Sequence, residues 1–182
     1  MNYRLLYGGV PVPYTVSWTA EEETSVGDCP WGGPDSLIQP WAQGEGKPCF
    51  GKPHAGRQRQ AIHEGLCDLC AHPLRLRTKV SLSHARPSVK GHRIGDILQV
   101  EPMLCKACAR VSLGHCPALK RDIREGTLRV RQVHRYAVQT AIMSSEYVMT
   151  IAGVARRAMG HAKIQLLSWT DRDEAWLTRG AE

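Results

Sequence analysis

Two short stretches limit this chain more than anything else in it: "LCDLCAHPL" at 66–74 and "MLCKACARV" at 103–111. Each holds a Cys-x-x-Cys pair. Such a turn brings two thiolates within reach of one ion, and two such turns complete a tetrahedron of sulfur. Zinc favours four sulfur ligands in that geometry and holds them as thiolates. Cys67, Cys70, Cys105 and Cys108 are therefore the expected ligands of a structural zinc. The 34 residues separating Cys70 from Cys105 exceed the usual zinc-ribbon gap, and a β-hairpin made of "RTKVSLSHA" and "ILQVEPML" would fill it. The competing reading is four free thiols. A redox pair fits less well, because nothing around either turn resembles a thioredoxin unit. Cys29 and Cys49 read as small buried residues, while His115 and Cys116 are alternative replacements for one of the four ligands.

Composition sets the compartment and the partner class. A chain of 182 residues suits one domain, with or without an extension, and can bury a core without disulfides. Its seven cysteines then favour a metal site in a reducing compartment. No apolar run is long enough to span a membrane, and the start "MNYRLLYGGVPVPYTV" lacks a signal-peptide pattern, so the expected location is the cytoplasm, host cytoplasm for a phage-encoded chain. The net charge of +7 is uneven. Between Lys52 and Arg135 there are 17 Lys or Arg against 6 Asp or Glu, a balance of +11, which leaves −4 for the rest. A basic centre between acidic ends points to an anionic partner, most simply nucleic acid.

Punctuation and periodicity predict an α+β fold. Residues 1–20 read as β structure, with Tyr14, Val16 and Trp18 on one face of "YTVSW". "AEEETSVGD" reads as an acidic loop, and residues 27–56 as an ordered loop dense in Gly and Pro. A short helix is expected over 57–66, ended by Gly65. Strands at 77–85 and 97–104 flank the basic loop "RPSVKGHRIGD". A helix in two pieces follows the second Cys pair, broken at Gly114 and Pro117. The remainder reads as a strand at 127–143, a helix at 144–159 capped by serine, a strand at 161–169, and a last helical turn capped by Asp171. The expected organisation is an N-terminal β/loop extension (1–56), a zinc-binding core (57–126) and a strand-helix-strand-helix segment completing the same domain (127–182).

The order Cys-x-x-Cys, strand, loop, strand, then Cys-x-x-Cys opening a helix resembles a treble-clef zinc finger. More narrowly, residues 64–115 resemble the zinc-containing ββα core of the HNH endonucleases. That resemblance implies a general base at His84, in "SLSHARP", and a catalytic Mg²⁺ or Mn²⁺ at the scissile phosphate. Three positions depart from the family pattern. Ser83 stands where an acid precedes the histidine, no Asn lies in "GDILQVEPMLC", and Ala109 follows Cys108 where the family has His. The chain is also similar to phage and prophage zinc-finger proteins of no assigned activity.

Two basic stretches complete the candidate site. Arg86, Lys90, His92 and Arg93 sit in the loop between the strands, and Lys120, Arg121, Arg124, Arg129 and Arg131 follow the second Cys pair. Both could track a phosphate backbone. The expectation is thus a treble-clef-like, zinc-stabilised ββα core with additional short strands and helices. Its function is expected to be non-catalytic binding of nucleic acid or of a nucleic-acid-handling protein, as in a phage-type regulator or inhibitor. The alternatives are an HNH-like endonuclease using His84 and a structural virion or assembly protein.

Overall fold

The structure is a computed structural model that describes residues 5–83 and 97–179. It opens on a tight hairpin, β1 (Leu5–Tyr7) and β2 (Val10–Val12). Gly8 and Gly9 join them, both at positive φ (57 and 79°), as a two-residue turn matching strand twist requires. β3 (Val16–Trp18) leads into a single 3-10 turn, Thr19–Glu21.

The acidic and Gly/Pro-rich stretches expected to be loops instead hold three strands: β4 (Ser25–Cys29), β5 (Gly33–Ile38) and β6 (Pro48–Pro53). β4 and β5 form an antiparallel hairpin whose second strand, β5, meets a distant partner late in the chain, at Ser36 opposite Met159. β6 pairs with β3. Partners, not propensity, make these strands.

Helix α1 (Ala55–Glu64) begins at His54, whose Nδ1 accepts from the Arg57 amide, and ends at Gly65 in the left-handed region, where the sequence places its stop. Then come β7 (Lys79–Ser83), β8 (Ile97–Gln99), the two-residue β9 (Leu104–Cys105), α2 (Lys106–His115) and α3 (Pro117–Arg124). Pro117 occupies the first turn of α3, where its missing N–H costs nothing, so the helix breaks just before it as expected, whereas α2 runs on through Gly114, where the sequence also predicts a break.

Two long strands dominate the remainder, β10 (Arg129–Met143) and β11 (Ala158–Arg172). Between them lies α4 (Ser145–Ala152), capped by the Ser144 hydroxyl and ended at Gly153. The helix is shorter than the expected 144–159 because Gly153 turns left-handed at φ 69° and β11 starts at Ala158. α5 (Glu174–Thr178) is capped by Asp173, not Asp171. Asp171 is still inside β11, paired with Arg131.

The main sheet runs β4-β5-β11-β10-β7-β9, with β8 added on β11. Register shifts along β10 near Val133, Arg135 and Thr140 mark irregularities that bend and twist the long hairpin. Strands β7 and β8 flank that hairpin on opposite edges, yet Ser81 Oγ donates to Gln99 Oε1 across it at 2.5 Å. The sheet is therefore curled. The largest apolar cluster gathers Ile62, Leu74, Val80, Ile97, Met103, Val130, Ile164, Leu166 and Leu177 around the four cysteines of the two pairs.

Polar side chains fill the N-terminal half of α1. Arg57, Gln58 and Arg59 are fully buried or nearly so, at 0, 1 and 0% exposure. Arg57 donates twice to Glu21, at 2.6 Å each, and to the carbonyls of Tyr14 and Val16. Gln58 donates to the carbonyls of Val100 and Ala162 and accepts from the Ala162 amide. Arg59 donates to the carbonyls of Leu37 and Gly160. One turn of helix thus ties together the N-terminal strands, the approach to β9 and the start of β11.

Candidate metal centre

The four paired cysteines converge. The sulfur atoms of Cys67, Cys70, Cys105 and Cys108 all lie within 4.8 Å of one another, and each residue is at most 4% exposed. Sulfurs around a tetrahedral ion at about 2.3 Å would stand about 3.8 Å apart. The cluster has the size, number and chemistry to hold one metal ion.

Local structure builds each half. At the first pair, the Cys67 amide donates to the His72 carbonyl and the Ala71 amide to the Cys67 carbonyl, closing a tight turn. Ala71 takes φ 54° to complete it, alone among the described non-glycine residues. The turn is tethered on both sides: Tyr14 donates its amide to the Asp68 carbonyl, and the Asp68 amide donates to the Met103 carbonyl. The Thr15 hydroxyl donates to the Asp68 carboxylate, while burial pushes that carboxyl up to about 6.

At the second pair, Cys105 closes β9 and is the N-cap of α2, and Cys108 lies in the first helical turn. Both sulfurs thereby sit at the positive end of a helix, which favours thiolate. The Cys105 amide also donates to Cys67 Sγ at 3.3 Å, so the two halves touch.

The donor set is chemically suited to a cation. Hydrogen bonds from Cys105, Cys108 and Cys67 hold the Cys70 thiol far below its usual range. Hydrogen bonds with Cys105, Cys108 and Cys70, reinforced by burial, hold Cys67 far above its own. Four sulfurs this close cannot all shed their protons unless a positive charge sits between them.

Among the described residues the metal-ligating group consists of these four; His115 and Cys116, at the far end of α2, are not in it. The sequence-derived basic residues are partly placed. Lys120, Arg121 and Arg124 are exposed on α3, and Arg129 is exposed at the start of β10. Arg131 is 3% exposed, with Nε 3.8 Å from Asp171 Oδ1, so it lies inside the sheet's curl rather than on open surface. His84, Arg86, Lys90, His92 and Arg93 lie outside the described residues.

Sequence reasoning missed the buried polar triad Arg57-Gln58-Arg59 and its partner Glu21. The signal available was weak: an "RQRQ" run with no apolar stripe beside it, and an acidic "AEEE" upstream. No described helix is long and apolar enough to cross a membrane. Compared with protein-family models, curated proteins and solved structures, the chain matches none.

Proposed function

We propose that this chain is a zinc-stabilised, non-catalytic module that binds nucleic acid through the helices following its metal centre. In this reading the Cys67–Cys70 turn, β7, β9 and the N-terminus of α2 make a treble-clef-like unit with zinc at its hub. Sulfur donors select zinc over harder divalent ions, and four protein ligands leave no open position for substrate.

The observation that carries the reading is the coupling of metal centre to basic surface. The four cysteines fix the start of α2, and α3 continues from it with Lys120, Arg121 and Arg124 exposed. Asp122, on the same helix, is buried at 8% exposure, with Arg121 Nε 3.9 Å from its carboxylate. Arg110 on α2 is exposed as well. Such a surface suits a phosphate backbone, read by charge and not by sequence.

Two measurements test the two halves. Native mass and elemental analysis should give one zinc per chain, lost with the fold in Cys105→Ser. Iron in place of zinc, or a folded metal-free protein, would overturn the zinc assignment. Duplex and single-stranded oligonucleotides should bind with a steep salt dependence, and reversing Lys120, Arg121 and Arg124 to Glu should flatten the slope by about three charges. Absence of binding at low salt sinks the nucleic-acid reading, and capture of a nucleic-acid-handling protein would then become the better one. Plasmid DNA incubated with Mg²⁺ or Mn²⁺ should remain intact. Cleavage that His84→Ala abolishes would instead establish the nuclease.

A further inference from the structure

Two tryptophans stand together beside α1. Trp31 lies in the turn joining β4 to β5, and Trp41 in the segment between β5 and β6. Their ring centroids are 6.2 Å apart, with the planes tilted by 43°. Trp41 is 58% exposed, although an indole gains much from burial. It is nonetheless held from below. A Cβ on Gly56 would stand 3.0 Å from its Cζ2, the His54 ring meets it edge-on at 5.1 Å, and the buried Arg57 guanidinium lies 5.8 Å from its centroid. Trp31 is fixed by donating Nε1–H to Glu64 Oε1 at 2.9 Å. Gln60 donates to Glu64 Oε2 at 3.3 Å and accepts from the Tyr14 hydroxyl at 2.5 Å. Helix α1 thus carries a preformed double-indole platform.

The hydrogen-bond capacity of the platform selects its ligand. The Trp31 N–H, the Tyr14 hydroxyl, the Gln60 amide and the Glu64 carboxylate are bonded to one another. The Trp41 Nε1–H has no acceptor among the described residues, so it is the donor left over. A sugar brings many hydroxyls, each needing a partner. A nucleotide brings a phosphate that the Glu64 carboxylate repels. A cationic ligand would compete with Arg57, which already lies against the Trp41 ring. A polyproline II segment avoids all three conflicts. Its rings stack on indoles, its carbonyls accept hydrogen bonds, and its prolines have no N–H to satisfy. It is also ordered before it binds, so little conformational entropy is lost.

We propose that Trp31 and Trp41 form a docking surface for a proline-rich segment of a partner protein, with the Trp41 Nε1–H donating to a carbonyl of that segment. The inference goes beyond the nucleic-acid reading and does not rest on it. It gives the chain a protein partner through residues that neither the metal centre nor α3 uses.

Calorimetric titration of the full chain with decaproline tests it, beside a glycine-serine peptide of equal length, cellohexaose and an oligothymidine. Decaproline should bind saturably and shift the indole fluorescence. Trp41→Ala should weaken it by about tenfold or more, as loss of a central aromatic anchor does. Trp41→Phe keeps a ring against Gly56 but drops the N–H, and should cost about fivefold. Circular dichroism of both variants checks the fold. No saturable binding, equal affinity for the glycine-serine peptide, or binding unchanged in both variants would overturn the proposal. Tighter binding of cellohexaose or of oligothymidine at this platform would overturn it too, in favour of a sugar or of stacked bases. The two readings fail separately. Reversing Lys120, Arg121 and Arg124 should leave decaproline binding as it was, and Trp41→Ala should leave the salt slope of oligonucleotide binding as it was.

Discussion

Ala71 holds the first Cys turn closed at a price in backbone strain. Its φ of 54° is a conformation that an L-residue with a Cβ resists and glycine accepts. Ala71→Gly is expected to stabilise the native state by about 1 kcal/mol, less the extra freedom glycine gains when unfolded. Chemical denaturation at saturating zinc measures this. Glu21 is the opposite case, a side chain whose loss is severe. It is 0% exposed, as is Arg57, and its carboxylate also accepts from the amides of Trp18 and Ala42. Glu21→Gln would leave the Arg57 guanidinium buried without its counter-charge, at a cost of about 3–5 kcal/mol. A variant that melts within a degree of the parent would refute the structural role given to this pair.

Helix α1 shows at the scale of an element what the sequence could and could not reveal. Its end at Gly65 was legible, as were the α2–α3 break at Pro117 and the Ser144 cap, because each has a local chemical signature. The four cysteines were legible for the same reason. The strands β4, β5 and β6 were not, since their pairing depends on residues far away and their Gly and Pro content argues for loop. The buried polar side of α1 was hidden for a further reason. Periodicity marks apolar stripes, whereas Arg57, Gln58 and Arg59 are buried by hydrogen bonding to carbonyls that only the tertiary fold brings near. Gln58 donates to the carbonyls of Val100 and Ala162 and accepts from the Ala162 amide. Gln58→Leu strands these partners and is expected to destabilise by about 2–3 kcal/mol. Amide exchange at Ala162 should speed up accordingly.

The whole molecule should be labile to acid for reasons separate from its candidate metal centre. Burial, with Arg57 beside it, holds His54 below its ordinary value of 6.5, and burial with Arg59 nearby does the same to His161. Both bind protons less well folded than unfolded. Their contribution to stability is therefore complete at neutral pH and is lost as pH falls through 6.5 and below. Glu21 adds a second step. Burial pushes its carboxyl up, but the Arg57 hydrogen bonds and charge outweigh that and hold it under 4.5, so its share disappears at still lower pH. Asp68, held up at about 6 by burial, offsets part of this loss below that pH, so urea midpoints followed from pH 8 down to about 4 should stay level and then decline less steeply than the histidines and Glu21 alone require. His161→Gln should flatten the first part of the decline, and an unchanged profile would exclude that histidine as a source.

The hydrogen bonds of α1 also set a timetable for synthesis. Arg57 finds its acceptors in residues already made, at Tyr14, Val16 and Glu21. Arg59 and Gln58 wait for Gly160 and Ala162, which lie 101 and 104 positions further along. At about 5–20 residues per second, a ribosome needs roughly 5–20 s to supply them. During that interval the Arg59 guanidinium has only its Leu37 carbonyl within the synthesised chain, and the Gln58 amide gains the Val100 carbonyl before its Ala162 partners arrive. The N-terminal strands can close early, whereas the main sheet can close around α1 only when β11 has emerged.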